Sequence, residues 1–109
     1  MNLNNYQKKA MRTAVYPGKG NNLIYTTLAL AGEAGEVADK VSKIIRDQNY
    51  KRSVTDTAEI IKELGDVLWT VAATAFELNI DLEAVACRNL DKLANRKRKN
   101  KLHGQGDNR

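Results

Sequence analysis

The chain has 109 residues, enough for one domain, and with 42% apolar and 28% charged residues, one Pro and seven Gly it excludes wholesale disorder and a collagen-like repeat. Cys87 is the only cysteine and His103 the only histidine, which excludes an intrachain disulfide framework, a Cys/His zinc site and a Ser-His-Asp triad built on a core histidine. The net charge of +5 is uneven: residues 1–87 carry ten Lys/Arg against eleven Asp/Glu, and residues 88–109 carry eight against two, so the basic end suits polyanions.

Leu3, Tyr6, Ala10, Met11 and Ala14 recur at helical spacing and predict a short first helix that stops near Tyr16-Pro17-Gly18. A Gly/Asn-rich turn to Asn22 follows. Leu23, Leu28, Leu30, Ala31, Val37, Ala38, Val41, Ile44 and Ile45 then predict a long second helix over about 23–46 and a polar loop over 47–56. Asp56, with Glu59 three residues on, fits a capping-box variant. Beyond it Ile60, Ile61, Leu64, Val67, Leu68, Val71, Ala72, Ala75 and Leu78 predict a third helix with a buried stripe. Asp81 is placed to cap a fourth helix, whose core face runs through Leu82, Val85, Ala86, Leu90 and Leu93 toward the basic residues 96–101. No period-two strand pattern occurs. The expected fold class is all-α, an antiparallel four-helix-bundle-like domain over residues 1–103 with a C-terminal tail, loop or mobile, over 104–109.

The second predicted helix carries Gly32-Glu33-Ala34-Gly35-Glu36, with two acids three residues apart on one face. The third repeats the device in Glu63-Leu64-Gly65-Asp66, beside core-facing Leu64, Val67 and Leu68. At 1.5 Å per residue the pairs stand about 17 Å and about 11 Å from the intervening loop, close enough to face each other with a mismatch of about one turn. Gly32, Gly35 and Gly65 sit inside helices, where Gly costs about 1 kcal/mol relative to Ala, so close approach of a helix or a ligand is expected there. Four converging carboxylates need a counter-charge, and an all-oxygen set without a Glu-x-x-His pair favours Mg²⁺ or Mn²⁺ over di-iron. A single Glu-x-x-Glu is usually a solvated face with pairs such as Glu36 and Lys40; it is the repetition on consecutive helices, with matched glycines, that points to a metal site for phosphates.

Glu-x-x-Glu, 26 residues, then Glu-x-x-Asp resembles the signature of the MazG-type, all-α nucleoside triphosphate pyrophosphohydrolases. Leu30-Ala31-Gly32-Glu33-Ala34-Gly35-Glu36-Val37, Lys62-Glu63-Leu64-Gly65-Asp66-Val67-Leu68-Trp69 and the ending Gly104-Gln105-Gly106-Asp107-Asn108-Arg109 are similar to the short single-domain branch, so the likeness spans most of the chain. Gly32 stands where many relatives carry a further carboxylate. The resemblance implies hydrolysis of a nucleoside triphosphate, a deoxynucleotide in preference to a ribonucleotide, to the monophosphate and pyrophosphate. Glu33, Glu36, Glu63 and Asp66 would hold Mg²⁺, and a carboxylate would accept the proton of the attacking water. On the fourth helix Asn89, Lys92 and Arg96 follow at steps of three and four, and relatives similarly use a Lys and an Arg four residues apart toward the phosphates. Asn95 is the weaker alternative to Asn89. The family also implies a homodimer or homotetramer in which helices from two chains complete each pocket.

Trp69 is expected in the core or a subunit interface, Cys87 in the core and His103 on the surface, and the tail's Asp107 and Arg109 are candidates to fold over bound nucleotide. No apolar run is long enough to span a membrane and residues 1–10 are polar, so a cytoplasmic protein without a membrane partner is expected. The rival reading is a non-enzymatic helical module holding nucleic acid through residues 96–101, five of whose six side chains are cationic. That reading lacks interleaved aromatics and leaves the paired acids without a purpose.

Overall fold

Four helices and no strand form in the computed structural model, which describes residues 1–109: α1 (Leu3–Met11), α2 (Leu23–Gln48), α3 (Val54–Glu77) and α4 (Leu82–Arg98). The Asn2 side chain accepts the Asn5 N–H at 2.8 Å and starts α1. The helix stops at Met11, short of the periodic Ala14, and its end tightens into i+3 bonds from the Thr13 N–H to Ala10 O at 3.0 Å and from the Ala14 N–H to Met11 O at 3.2 Å. Side chains add to the same carbonyls, Thr13 Oγ1 donating to Ala10 and Lys19 Nζ to Met11, both at 2.7 Å. Ala14 and Tyr16 are then carried into the core on non-helical chain.

α2 starts at Asn22, whose side chain accepts the Tyr25 N–H at 3.1 Å, and runs two residues past the expected end to a left-handed Asn49 with φ 50°. The start of α3 corrects the expected cap. Ser53 is the N-cap and Asp56 is its third helical residue; the Ser53 hydroxyl accepts the Asp56 N–H at 3.0 Å and the Asp56 carboxylate accepts the Ser53 N–H at 2.8 Å. Asp81 does precede α4 but makes no side-chain cap. The orphan donors go to α1 instead, Leu82 N–H to Gln7 Oε1 and Glu83 N–H to Asn4 Oδ1, each at 3.0 Å, while Gln7 Nε2 donates to the carbonyls of Ala72 and Ile80.

α2 and α3 form the long antiparallel hairpin; α1 lies on α3 and α4, and α4 touches α1 and α3 but not α2. The core sits where α1, α3 and the start of α4 meet, and consists of Ala10, Met11, Ala14, Tyr16, Ala72, Ala73 and Leu82 with Tyr6, Trp69, Val71 and Phe76 packed against it. Tyr16 stacks on Tyr25 at 4.9 Å and meets Trp69 edge-on. Trp69 is a structural residue: its indole N–H donates to Thr13 Oγ1 at 2.8 Å and to the Ala10 carbonyl at 3.2 Å.

The all-α class and the helical bundle hold, with one side of the bundle open. Because α2 is covered by α3 alone, much of its apolar set is exposed, including Ile24 at 76% and Leu28 at 68%, and the expected buried stripe of α3 is exposed at Ile61 and Leu64. Cys87, expected in the core, is exposed, and so is His103. The Cα radius of gyration is 16.7 Å, whereas a chain of this length packed into one compact body has about 13 Å. No helix is long and apolar enough to cross a membrane.

Candidate active site

The hairpin register decides which acids meet. Lys40 on α2 lies 3.9 Å from Glu59 on α3. Glu33 is seven residues before Lys40 and Asp66 seven after Glu59, so the same antiparallel register sets Glu33 opposite Asp66. Glu33, Glu63 and Asp66 each offer one carboxylate oxygen, and the three lie within 4.8 Å of one another. The expected one-turn mismatch is taken up in the connection: in the register that sets Lys40 opposite Glu59, Val54 at the start of α3 stands opposite Ile45, so α2 overruns the start of α3 by about one turn.

Burial first, and then the charges of Asp66, Glu63 and Glu36, push the Glu33 carboxyl above its usual range. Glu36 is thus close enough to weigh on Glu33, but it lies one turn on, exposed, outside the three-oxygen group. No Lys or Arg pairs with any of the four acids. A set of hard oxygen donors without a protein counter-ion is chemically suited to a divalent cation of the Mg²⁺ or Mn²⁺ type. Tyr6 on α1, used in the sequence only as an apolar periodic position, also borders the site: burial and then the charge of Asp66 raise its hydroxyl pKa. Nothing in the sequence pattern marked it, because α1 reaches the site only through its packing on α3.

A Cβ built at Gly32, Gly35 or Gly65 would meet nothing within 4 Å. The chain's own helices make no close approach at these glycines, which leaves bare backbone beside the acids.

The basic face of α4 is arranged differently from the sequence expectation. Asn89 is exposed. Lys92 Nζ pairs with Asp107 Oδ1 at 3.3 Å. Arg96 is only 6% exposed, and its Nη2 donates to the Asp107 carbonyl at 2.8 Å. Since α4 does not touch α2, the structure does not bring these three residues onto the α2 acids of the same chain. Asn95 accepts a hydrogen bond from Arg98 at 2.6 Å. Of the basic run, Lys97, Arg98, Lys99 and Lys101 remain exposed, whereas Arg96 is covered by the chain that follows α4.

The chain is 44% identical to the Gene 37 protein of Mycobacterium phage L5 over 114 aligned positions that span all of both chains. It is 35% identical over 71 positions to the phosphopantetheine adenylyltransferase of Chloroflexus aurantiacus, a match covering 62% of this chain and 44% of that protein. No solved structure matches. The MazG nucleotide pyrophosphohydrolase domain matches residues 22–100, from the cap of α2 through the end of α4 and so across all four acids. This chain therefore belongs to the MazG nucleotide pyrophosphohydrolase family.

Proposed function

We propose that the protein is a cytoplasmic, Mg²⁺-dependent nucleoside triphosphate pyrophosphohydrolase that converts a ribo- or deoxynucleoside triphosphate to the monophosphate and pyrophosphate. The observation that carries this reading is the meeting of Glu33, Glu63 and Asp66 oxygens within 4.8 Å across the α2–α3 hairpin. Family membership and the absence of a protein counter-ion support it.

Glu33, Glu63 and Asp66 would hold the cation, with Glu36 one turn away completing the acidic set. Bound there, Mg²⁺ or Mn²⁺ would offset triphosphate charge and lower the pKa of water. A carboxylate oxygen of these acids not needed to hold the cation would accept the proton of the water that attacks the α-phosphorus. Attack there breaks the bond from the α-phosphorus to the bridging oxygen and releases pyrophosphate. Open backbone at Gly32, Gly35 and Gly65 gives a bulky phosphate chain room beside the acids.

Asn89, Lys92 and Arg96 are assigned to the phosphates, reached from a second copy, since α4 does not touch α2 in its own chain. A homodimer or homotetramer fits the exposed Ile24, Leu28, Ile61 and Leu64 on the acid-bearing helices. A monomer in sedimentation at micromolar concentration would sink that part of the proposal.

The test is a panel of common and damaged nucleoside triphosphates with Mg²⁺, scored for pyrophosphate against orthophosphate in ¹⁸O-labelled water. Pyrophosphate release with label in the monophosphate is expected. Orthophosphate release, or label in pyrophosphate, would refute the reaction.

A further inference from the structure

The segment after α4 is a built hook. Lys101 N–H donates to the Arg96 carbonyl at 2.7 Å and turns the chain back along the helix. The Arg109 guanidinium then clamps the turn, with Nε donating to Lys101 O at 3.0 Å, Nη2 to Leu102 O at 2.9 Å and Nη1 to Gly106 O. The glycines are required by this closure. A Cβ on Gly104 would stand 2.7 Å from Arg109 Cδ, and Gly106 has φ +80°.

The hook delivers one carboxylate onto two cations of α4. Asp107 Oδ1 lies 3.3 Å from both Lys92 Nζ and Arg96 Nη2, and Nη2 also meets the Gly106 and Asp107 carbonyls. Hydrogen bonding to Lys92, then to Arg96, holds the Asp107 carboxyl below its usual range, so it stays charged. Yet the complement is incomplete. Arg96 is almost fully buried and its Nε has no acceptor, so the edge of the guanidinium that normally takes two oxygens of one anion is engaged on one side only. The Asp107 side chain is itself 82% exposed, and an ion pair that long and that exposed exchanges readily.

We propose that Lys92 and Arg96 form an anion notch whose resident counter-ion is Asp107, and that phosphate oxygens of nucleotide or pyrophosphate displace this carboxylate to bind. Asp107 thereby sets how tightly the notch holds phosphoanions. The inference rests on the assignment of Lys92 and Arg96 to the phosphates. Only the Asp107 side chain has to leave, since the Arg109 clamp maintains the turn without it.

The test is calorimetric titration of the full-length protein with inorganic pyrophosphate in metal-free buffer containing a chelator, with circular dichroism checking helix content. Asp107→Asn is expected to tighten binding by about two- to fivefold, the range an exposed ion pair commands. Lys92→Ala is expected to weaken it, and Asp107→Asn placed on Lys92→Ala is expected to recover much less than it gains in the parent. Unchanged or weaker binding by a folded Asp107→Asn overturns the proposal, as does no measurable pyrophosphate binding by either protein. Because no metal or hydrolysis is involved, this pattern in a protein that cleaves no nucleotide would refute the proposed function and leave the notch standing.

Discussion

Tyr16 donates its hydroxyl to Glu77 Oε2 at 2.8 Å, and the same carboxylate accepts the backbone N–H groups of Gly20 and Asn22. One side chain at the end of α3 thus pins the 17–22 connection and sets where α2 begins. Burial pushes the Glu77 carboxyl up, but the Asn22, Tyr16 and Gly20 hydrogen bonds outweigh it and hold it below the usual range. Tyr16 is pushed up to about 12, first by burial and then by its bond to Glu77. A lowered carboxyl gives stability that is present above the ordinary glutamate value and lost as pH falls through the lower folded one. A raised phenol gives stability present below the ordinary tyrosine value and lost as pH rises toward 12. Urea unfolding of the parent across pH should show both limbs; Glu77→Gln should flatten the acid limb and lower Tm on the order of 5 °C. An unchanged acid limb would contradict the role.

Gln7→Leu is expected to destabilise the protein by about 1–3 kcal/mol, because it orphans the buried Leu82 N–H, to which the N-cap Asp81 side chain makes no bond. Asn4→Ala, at an exposed bond to Glu83, should cost less. Equal small effects in urea unfolding would show that α1 does not cap α4.

Glu33 is raised by burial and by its acidic neighbours, so its ionised form opposes folding of the metal-free chain at neutral pH. Glu33→Gln should therefore raise the metal-free Tm. The parent should gain about 2.7 kcal/mol from Mg²⁺ at a hundredfold excess over Kd, and the variant should lose most of that gain. Parallel Mg²⁺ responses in thermal melts would remove Glu33 from the metal set.

Gly65→Ala adds a methyl where nothing lies within 4 Å, inside a helix. It should stabilise the fold by about 0.5–1 kcal/mol and still lower kcat/KM for nucleotide, since the proposed function puts the phosphates in the space it fills. Parental kcat/KM would detach the glycine from the site.

The 3.6-residue period from Ile60 to Leu78 and the spacing of Glu33 and Asp66 made the α2–α3 hairpin and its acids legible in the sequence. The cap of α3 reads one turn too late in the sequence, at Asp56 with Glu59, because the acid at Asp56 serves as the third helical residue of a box whose cap is Ser53. Period marks which face is apolar and not what covers it, so the exposure of Leu28 and Ile61 was hidden. Gln7 on Leu82, Glu77 on Asn22 and Arg96 on Asp107 were hidden for a different reason. Each is a polar contact made by the fold, between residues that no local pattern pairs.

The most direct measurement is Mg²⁺-dependent pyrophosphate release by the parent and by Asp66→Asn, both with native helix content. Asp66 contributes one of the three clustered oxygens, so the account predicts a loss of at least about a hundredfold in turnover. Release by Asp66→Asn at the parental rate, or release by the parent that persists with all divalent metal chelated, would contradict it.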